Sequence, residues 1–245
     1  MPTQPLSGKA ALVTGGARRI GRAIAMSLAE AGADVAITYL NSQAEAADTA
    51  RAIEALGRRA LPLHCDVRSE GSVRTAVSAV AGRFGRVDLV VNNAAVFESA
   101  HLDSLTLDQW DAVFQTNARG PFLVAREAIP HLRASGGRVI HIGSLGGIHP
   151  RASHAHYCAS KAALHMLTQA MAKAFAPTVS VNCVAPGWID ADGEFARTAT
   201  HFAQKTPMRR NGSLDDVAQA VLFFAAGPAF ITGQILVVDG GLGLV

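Results

Sequence analysis

Sulfur, aromatic rings and charge are all scarce in this chain of 245 residues. It holds 3 cysteines, 2 tyrosines and 2 tryptophans, with 6% aromatic and 17% charged residues. The cysteines, Cys65, Cys158 and Cys183, are odd in number and lack C-x-x-C spacing, so neither a disulfide framework nor a thiolate metal site is expected. Low charge beside 49% hydrophobic content excludes a disordered chain. No uninterrupted apolar run reaches membrane-spanning length, and the opening "MPTQPLSGKAALVTGG" has no basic segment followed by an apolar core. The expectation is a cytoplasmic protein with no membrane partner. The net charge of +3 comes from scattered arginine pairs without interleaved aromatics, so no nucleic-acid partner is expected.

What is present is a rhythm. Short apolar runs, "AALVTG", "DVAITY", "RALPLHC", "VDLVVNN", "RVIHIGS", "VSVNCVAP" and "QILVVDG", alternate with helical patterns at 20–31, 43–56, 70–84, 108–134, 156–175 and 213–226. Alternation of this kind predicts βαβ units and an α/β fold: one doubly wound parallel sheet (Rossmann) of about seven strands, with helices on both faces. The near-continuous apolar character of the runs implies that both faces are covered. No linker or repeat divides residues 1–245, which read as one domain. Segment 188–212, "WIDADGEFARTATHFAQKTPMRRNG", follows a strand end with only weak periodicity, and its place marks it as a substrate lid.

"TGGARRIGRAIAMSLAEAG" runs directly from the first strand into a helix. Backbone N–H groups in such a turn, with the helix dipole behind them, suit a pyrophosphate, and glycines let the main chain approach it. The candidate cofactor residues here are Gly15, Arg18, Arg19, Ile20 and Gly21. At the end of the second strand, where a carboxylate would select the ribose 2′-hydroxyl, the sequence offers Tyr39, Asn41 and Ser42 instead. Arg18 and Arg19 could neutralise a 2′-phosphate, so NADP is expected in preference to NAD.

Tyr157 precedes Lys161 by four positions in "YCASK", which places both on one helical face. A phenol of ordinary pKa is a poor acid–base group at neutral pH, and a nearby ammonium favours its phenolate. Ser144 ends "RVIHIGS", where a hydroxyl could hydrogen-bond a substrate oxygen. Asn117, amid apolar neighbours in "QTNARG", needs a partner. Trp188, Phe97, His149 and His154 flank the same region. The histidines at 149, 154 and 156 have no carboxylate or cysteine at ligand spacing, so no metal is expected.

Together "TGGARRIG", "CDV" at 65–67, "VNNAA" at 91–95, Asn117, Ser144, "YCASK" and "VAPG" at 184–187 resemble a short-chain dehydrogenase/reductase over essentially the whole chain. The resemblance implies that Tyr157 protonates a carbonyl oxygen, Lys161 lowers its pKa and holds the nicotinamide ribose, and Ser144 positions the substrate. It implies that Asn117 anchors a proton-relaying water. It places Asp66 and Val67 at the adenine, Asn93 and Ala94 at the adenosine side, and Pro186, Gly187 and Ile189 at the nicotinamide end. A homotetramer or homodimer is implied as well, built partly on the helices at 108–134 and 156–175 and on the C-terminal segment.

Two positions depart from the family pattern. Arg19 replaces the middle glycine of the loop, and Ala191 stands where a threonine commonly follows the Pro-Gly pair. Three functions follow. The first is NADP(H)-dependent reduction of a carbonyl, such as a 3-oxoacyl thioester or related ketone. The second is pteridine reduction, suggested by the loop and by "VNNAAVF" but at odds with Ser144, where such enzymes typically carry Asp. The third is a dinucleotide-binding regulator without turnover.

Overall fold

The computed structural model describes residues 4–190 and 196–245. Seven strands, β1 (Ala10–Val13), β2 (Asp34–Tyr39), β3 (Ala60–His64), β4 (Leu89–Asn92), β5 (Arg138–Ile142), β6 (Ser180–Pro186) and β7 (Ile235–Val238), pair in parallel in the order β3-β2-β1-β4-β5-β6-β7. This is the doubly wound sheet that the alternation predicts. The order reverses between β1 and β4, and the crevice outside their carboxyl ends is where such sheets bind ligands.

Successive residues of β1 serve the two faces in turn, as a strand requires. Ala11 and Val13 join Ile24 and Leu28 of helix α1 (Arg19–Glu30) and Val217 and Val221 of α8 (Leu214–Ala226). Ala10 and Leu12 join Val73 and Val77 of α3 (Glu70–Phe84), Leu132 of α5 (Gly120–Ser135) and Met171 of α6 (Ala155–Phe175). Helix α2 (Gln43–Ala55) adds Ala46 and Ile53 to the first layer. Continuous burial fails at the edges. In β3, Pro62 and His64 are exposed, and in β7, Leu236 and Val237 are each 37% exposed. Proline is tolerated in β3 because an edge strand need not donate on its outer side.

The single helical stretch expected at 108–134 is three pieces. Helix α4 (Leu107–Phe114) starts from a capping box between Thr106 and Gln109, a π turn spans Gln115–Arg119, and α5 follows. Pro121 has no N–H to offer the carbonyl of Asn117, so the α-helical ladder cannot continue in register there. Segment 188–212, weakly periodic in sequence, contains helix α7 (Ala196–Lys205). Among the described residues no helix is long and apolar enough to cross a membrane.

Asp88 ties the amino ends of β1 and β4 together. Its carboxylate accepts from Ala10 N–H at 2.9 Å, Lys9 Nζ at 3.2 Å and Arg86 Nε at 2.6 Å. Burial pushes this carboxyl up, but the Arg86, Ala10 and Lys9 bonds outweigh it and hold its pKa below the ordinary value. A depressed carboxylate stabilises the fold above its unfolded pKa and loses that contribution as pH falls through the folded value. Asp88→Ala is expected to cost about 2 kcal/mol in urea unfolding at neutral pH, chiefly because it leaves the buried Ala10 N–H without its partner while the two half-exposed cations return to water. The deficit shrinks in acid, and a deficit that stayed constant with pH would count against this role.

Candidate active site

Six strand ends and the loops that follow them enclose a cleft of about 740 Å³, a size suited to small ligands. All the residues expected at the site line it except Asn117, which lies behind its wall.

The phosphate loop is built on close approach. Gly15 has φ +63°, and a Cβ there would lie 3.1 Å from the Cα of Ala94. At Gly21 a Cβ would overlap the carbonyl oxygen of Gly15 and reach 2.6 Å from Asn93 Nδ2. Thr14 Oγ1 accepts from the backbone N–H of Asn93 at 3.0 Å and of Ala94 at 3.1 Å. Asn93 Nδ2 donates to the carbonyls of Thr14 and Gly15, both at 3.0 Å. Both protons of the Asn93 amide are thus spent on holding β4 to the loop. Sequence reading missed Thr14, although its hydroxyl sits in "TGG" just past β1.

Arg19 has φ +50°, a left-handed conformation that glycine adopts freely and a long side chain adopts at a cost of about 1 kcal/mol. The backbone therefore keeps the shape of the missing glycine while the site gains a guanidinium. Arg18 and Arg19 are both exposed at the cleft. Opposite them stand Tyr39, packed edge-on against His64, the exposed Asn41, and Ser42, whose hydroxyl makes no capping bond. The next carboxylate along the wall, Asp66, is bonded to Arg68 through Nε at 2.9 Å and Nη2 at 2.7 Å. That bonding, led by the Arg68 side chain, lowers its pKa. Buried Val67 packs beside Gly120, where a Cβ would meet it at 3.0 Å.

At the other end β5 delivers Ser144 and α6 delivers Tyr157 and Lys161. Ser144 caps the short 3-10 turn Leu145–Gly147, its Oγ accepting from Gly146 N–H at 3.0 Å. Burial raises the Tyr157 pKa, opposed by a hydrogen bond with Ser144; Cys158 adds to the rise and the charge of Arg151 opposes it. The phenol therefore stays protonated beyond its ordinary range, so burial outweighs the lowering that sequence reasoning assigned to Lys161. Lys161 Nζ donates to the carbonyl of Ile142 at 2.7 Å and lies 5.7 Å from the Tyr157 ring centroid. Desolvation pushes its ammonium down to about 8.

Asn117 is fully buried in the π turn and serves as a clamp. Its Oδ1 accepts from Val96 N–H at 2.8 Å, and its Nδ2 donates to Val96 O at 2.9 Å and to Ser160 Oγ at 3.1 Å. Ser160 in turn donates to the carbonyl of Tyr157 at 2.7 Å, which joins the π turn to α6. The side chain implied as a water anchor has both its protons committed. His165, which sequence reading passed over, braces Ser144 from below. Its Nε2 accepts the Ser144 N–H at 3.4 Å, and a Cβ at Gly147 would come within 2.6 Å of its Cε1. Burial and then Lys161 push its pKa down to about 4, so it remains a neutral acceptor.

Pro186 ends β6, and Gly187 donates to Val238 O at 2.9 Å where a Cβ would strike Asp239 at 2.5 Å. Ile189 pairs with Gly212 in an isolated bridge. Ala191 lies outside the described residues. Cys65, Cys158 and Cys183 are buried free thiols, and burial pushes Cys183 up to about 12. His154 stacks on Phe97 at 4.6 Å, and among the described residues no group of three metal-ligating side chains converges.

A glycine-rich strand-to-helix turn facing a Ser, Tyr and Lys set across one cleft defines a dinucleotide-dependent oxidoreductase. Comparison with known proteins agrees. Residues 15–243 match the family described as enoyl-(acyl carrier protein) reductase. The 3-oxoacyl-acyl-carrier-protein reductase of Staphylococcus epidermidis is 35% identical over 240 residues, covering 96% of this chain and 98% of that one. Hydroxynaphthalene reductase of Aspergillus fumigatus is 35% identical over 248 residues, covering 94% and 90%. The crystal structure of a short-chain dehydrogenase from Burkholderia cenocepacia in complex with NADP is 43% identical, with a TM-score of 0.90 over 97% of this chain and 99% of that one. The chain belongs to the short-chain dehydrogenase/reductase family.

Proposed function

We propose that the chain is an NADP(H)-dependent carbonyl reductase in which Tyr157 protonates the substrate oxygen. The observation that carries this reading is Tyr157 and Ser144 together at one end of a cleft whose other end is a glycine cradle flanked by two exposed arginines. When bound, NADPH supplies a hydride, and the protein supplies position and a proton. The cradle fits a dinucleotide: the space a Cβ would fill at Gly15 and Gly21 brings the backbone close to a pyrophosphate. Arg18 and Arg19, with no competing carboxylate at the end of β2, fit a 2′-phosphate. The NADP complex of the Burkholderia cenocepacia relative supports the same choice.

Ser144 donates to the carbonyl oxygen and fixes it beside the Tyr157 hydroxyl. Raised by burial, the phenol keeps its proton at neutral pH, the state that reduction needs, and transfers it as negative charge gathers on the oxygen. Lys161, held near β5, lies where its ammonium stabilises the phenolate left behind and can reach the ribose. Ser144 also favours a ketone over a pterin, and the 3-oxoacyl-acyl-carrier-protein reductase among the relatives is named for a keto substrate. A regulator without turnover would need the loop and not the acid. Segment 188–212, of which 191–195 lie outside the described residues, is the lid in this reading, since Trp188 lines the cleft and stacks at 4.4 Å on Phe202 of α7.

Arg18→Ala with Arg19→Ala is expected to lower kcat/KM for NADPH about 100-fold and for NADH only a few-fold, since two charge-assisted contacts are lost to one phosphate. Steady-state assays with both cofactors check this. Equal losses for the two would point to a general loop defect and away from phosphate recognition.

A further inference from the structure

The reacting end of the cleft carries a cation that the proposed reaction does not use. Arg151 sits in the turn ahead of α6 and lines the cleft with Ser144, Tyr157, Phe97 and Trp188. Among the described residues no carboxylate forms an ion pair with it; its guanidinium lies 5.2 Å from the centroid of the Phe202 ring. It shares this stretch of the wall with Tyr157, whose phenol its charge favours in the ionised form. The other arginines on the cleft wall are accounted for: Arg18 and Arg19 flank the phosphate loop, and Arg68 is paired with Asp66.

Around Arg151 the wall is aromatic and braced. Phe97, 57% exposed, stacks at 4.6 Å on His154 and meets Tyr157 edge-on at 4.8 Å. His154 is itself fixed by Ser99 at 2.8 Å and Ser153 at 2.9 Å. Trp188 is backed by Phe202, the same ring that Arg151 covers. Rings held from behind lose little freedom when a flat ligand lies on them. Other titratable groups at this end are Lys161, turned to Ile142, His154 and the exposed Asp190.

We infer that Arg151 is a specificity-determining residue, and that the cleft selects a ketone on a flat aromatic or conjugated frame that itself bears a carboxylate. This rests on the reductase reading and names its substrate class. A guanidinium binds a carboxylate through two parallel bonds and tolerates an aromatic face beside it, both of which this position offers. The phosphates of a pantetheine thioester lie a whole pantetheine arm from the keto group, too far to be the anion that Arg151 meets.

The test compares 4-acetylbenzoate with its methyl ester, and acetoacetyl-CoA with acetoacetyl-N-acetylcysteamine, in wild type, Arg151→Gln and Arg151→Lys. The wild type is expected to favour the benzoate over its ester by about 30-fold in kcat/KM, the size of a lost charge-assisted contact. Arg151→Gln brings that ratio close to unity, Arg151→Lys keeps part of it, and the thioester ratio does not change. Using ratios cancels any common effect of Arg151 on Tyr157. A benzoate preference that is absent from the wild type, survives in Arg151→Gln, or is replaced by a selective loss of the CoA thioester overturns the inference. Binding to the NADP-loaded protein, read by tryptophan fluorescence, decides the matter even if no ketone turns over. In that case the reductase reading fails, while about 10-fold weaker benzoate binding in Arg151→Gln still supports the carboxylate site and unchanged binding contradicts it.

Discussion

Tyr157→Phe is expected to lower kcat for ketone reduction by at least about 1000-fold while NADPH binding changes by no more than about 2-fold. The substitution removes one oxygen from a ring that stays wedged against Phe97, and the α6 backbone remains tied to Asn117 through Ser160. Neither described neighbour replaces the lost proton. Lys161 is turned toward Ile142, and Ser144 has a hydroxyl far weaker as an acid than a phenol. Pre-steady-state rates with saturating NADPH, beside fluorescence titration of the cofactor, separate the two effects. Retention of more than about a tenth of the rate would assign the proton to another group.

Gly21→Ala is expected to weaken NADPH binding by about 100-fold or more, roughly 2.7 kcal/mol, and to lower the melting temperature as well. The new methyl would occupy the position of the Gly15 carbonyl oxygen and crowd Asn93 Nδ2. One of the two must move, and both belong to the clamp that joins the phosphate loop to β4. Gly71→Ala is the control: a Cβ at Gly71, in the first turn of α3, meets nothing within 4 Å. Calorimetric titration of both variants checks the claim. Equal affinities would mean that the loop adapts and that its glycines are not needed for close approach.

Much of this arrangement was legible in the sequence because its signals are local. Apolar runs located every strand to within a residue or two, and the four-residue spacing of Tyr157 and Lys161 put both on α6. The break at Gln115–Arg119 was half legible: Pro121 is a local signal that apolar periodicity running through it concealed, whereas the grip of Asn117 on Val96 is long-range. The same holds for Asn93, whose amide serves the loop through contacts 78 and 79 positions away. Burial at Tyr157 is a tertiary property, so the sign of its pKa shift could not be read from a neighbouring lysine. Arg151 carried no motif. Only the fold, by setting it beside Phe202 and the cleft, gives it meaning. His165 was hidden as an ordinary helix residue until the close-packed Gly147 and the Ser144 N–H appeared around it.

In the proposed reaction this cleft moves a hydride and a proton onto a ketone. The most direct test is a single turnover with NADPH carrying deuterium at the transferable position of the nicotinamide, run on a panel of aryl ketones, diketones, 3-oxoacyl thioesters and dihydropterin, with products read by mass spectrometry. The expected product is an alcohol with one deuterium on the former carbonyl carbon, formed by wild type and lost in Tyr157→Phe. NADPH that binds but leaves every ketone unlabelled, or label that appears only in a reduced pterin, would contradict this reading.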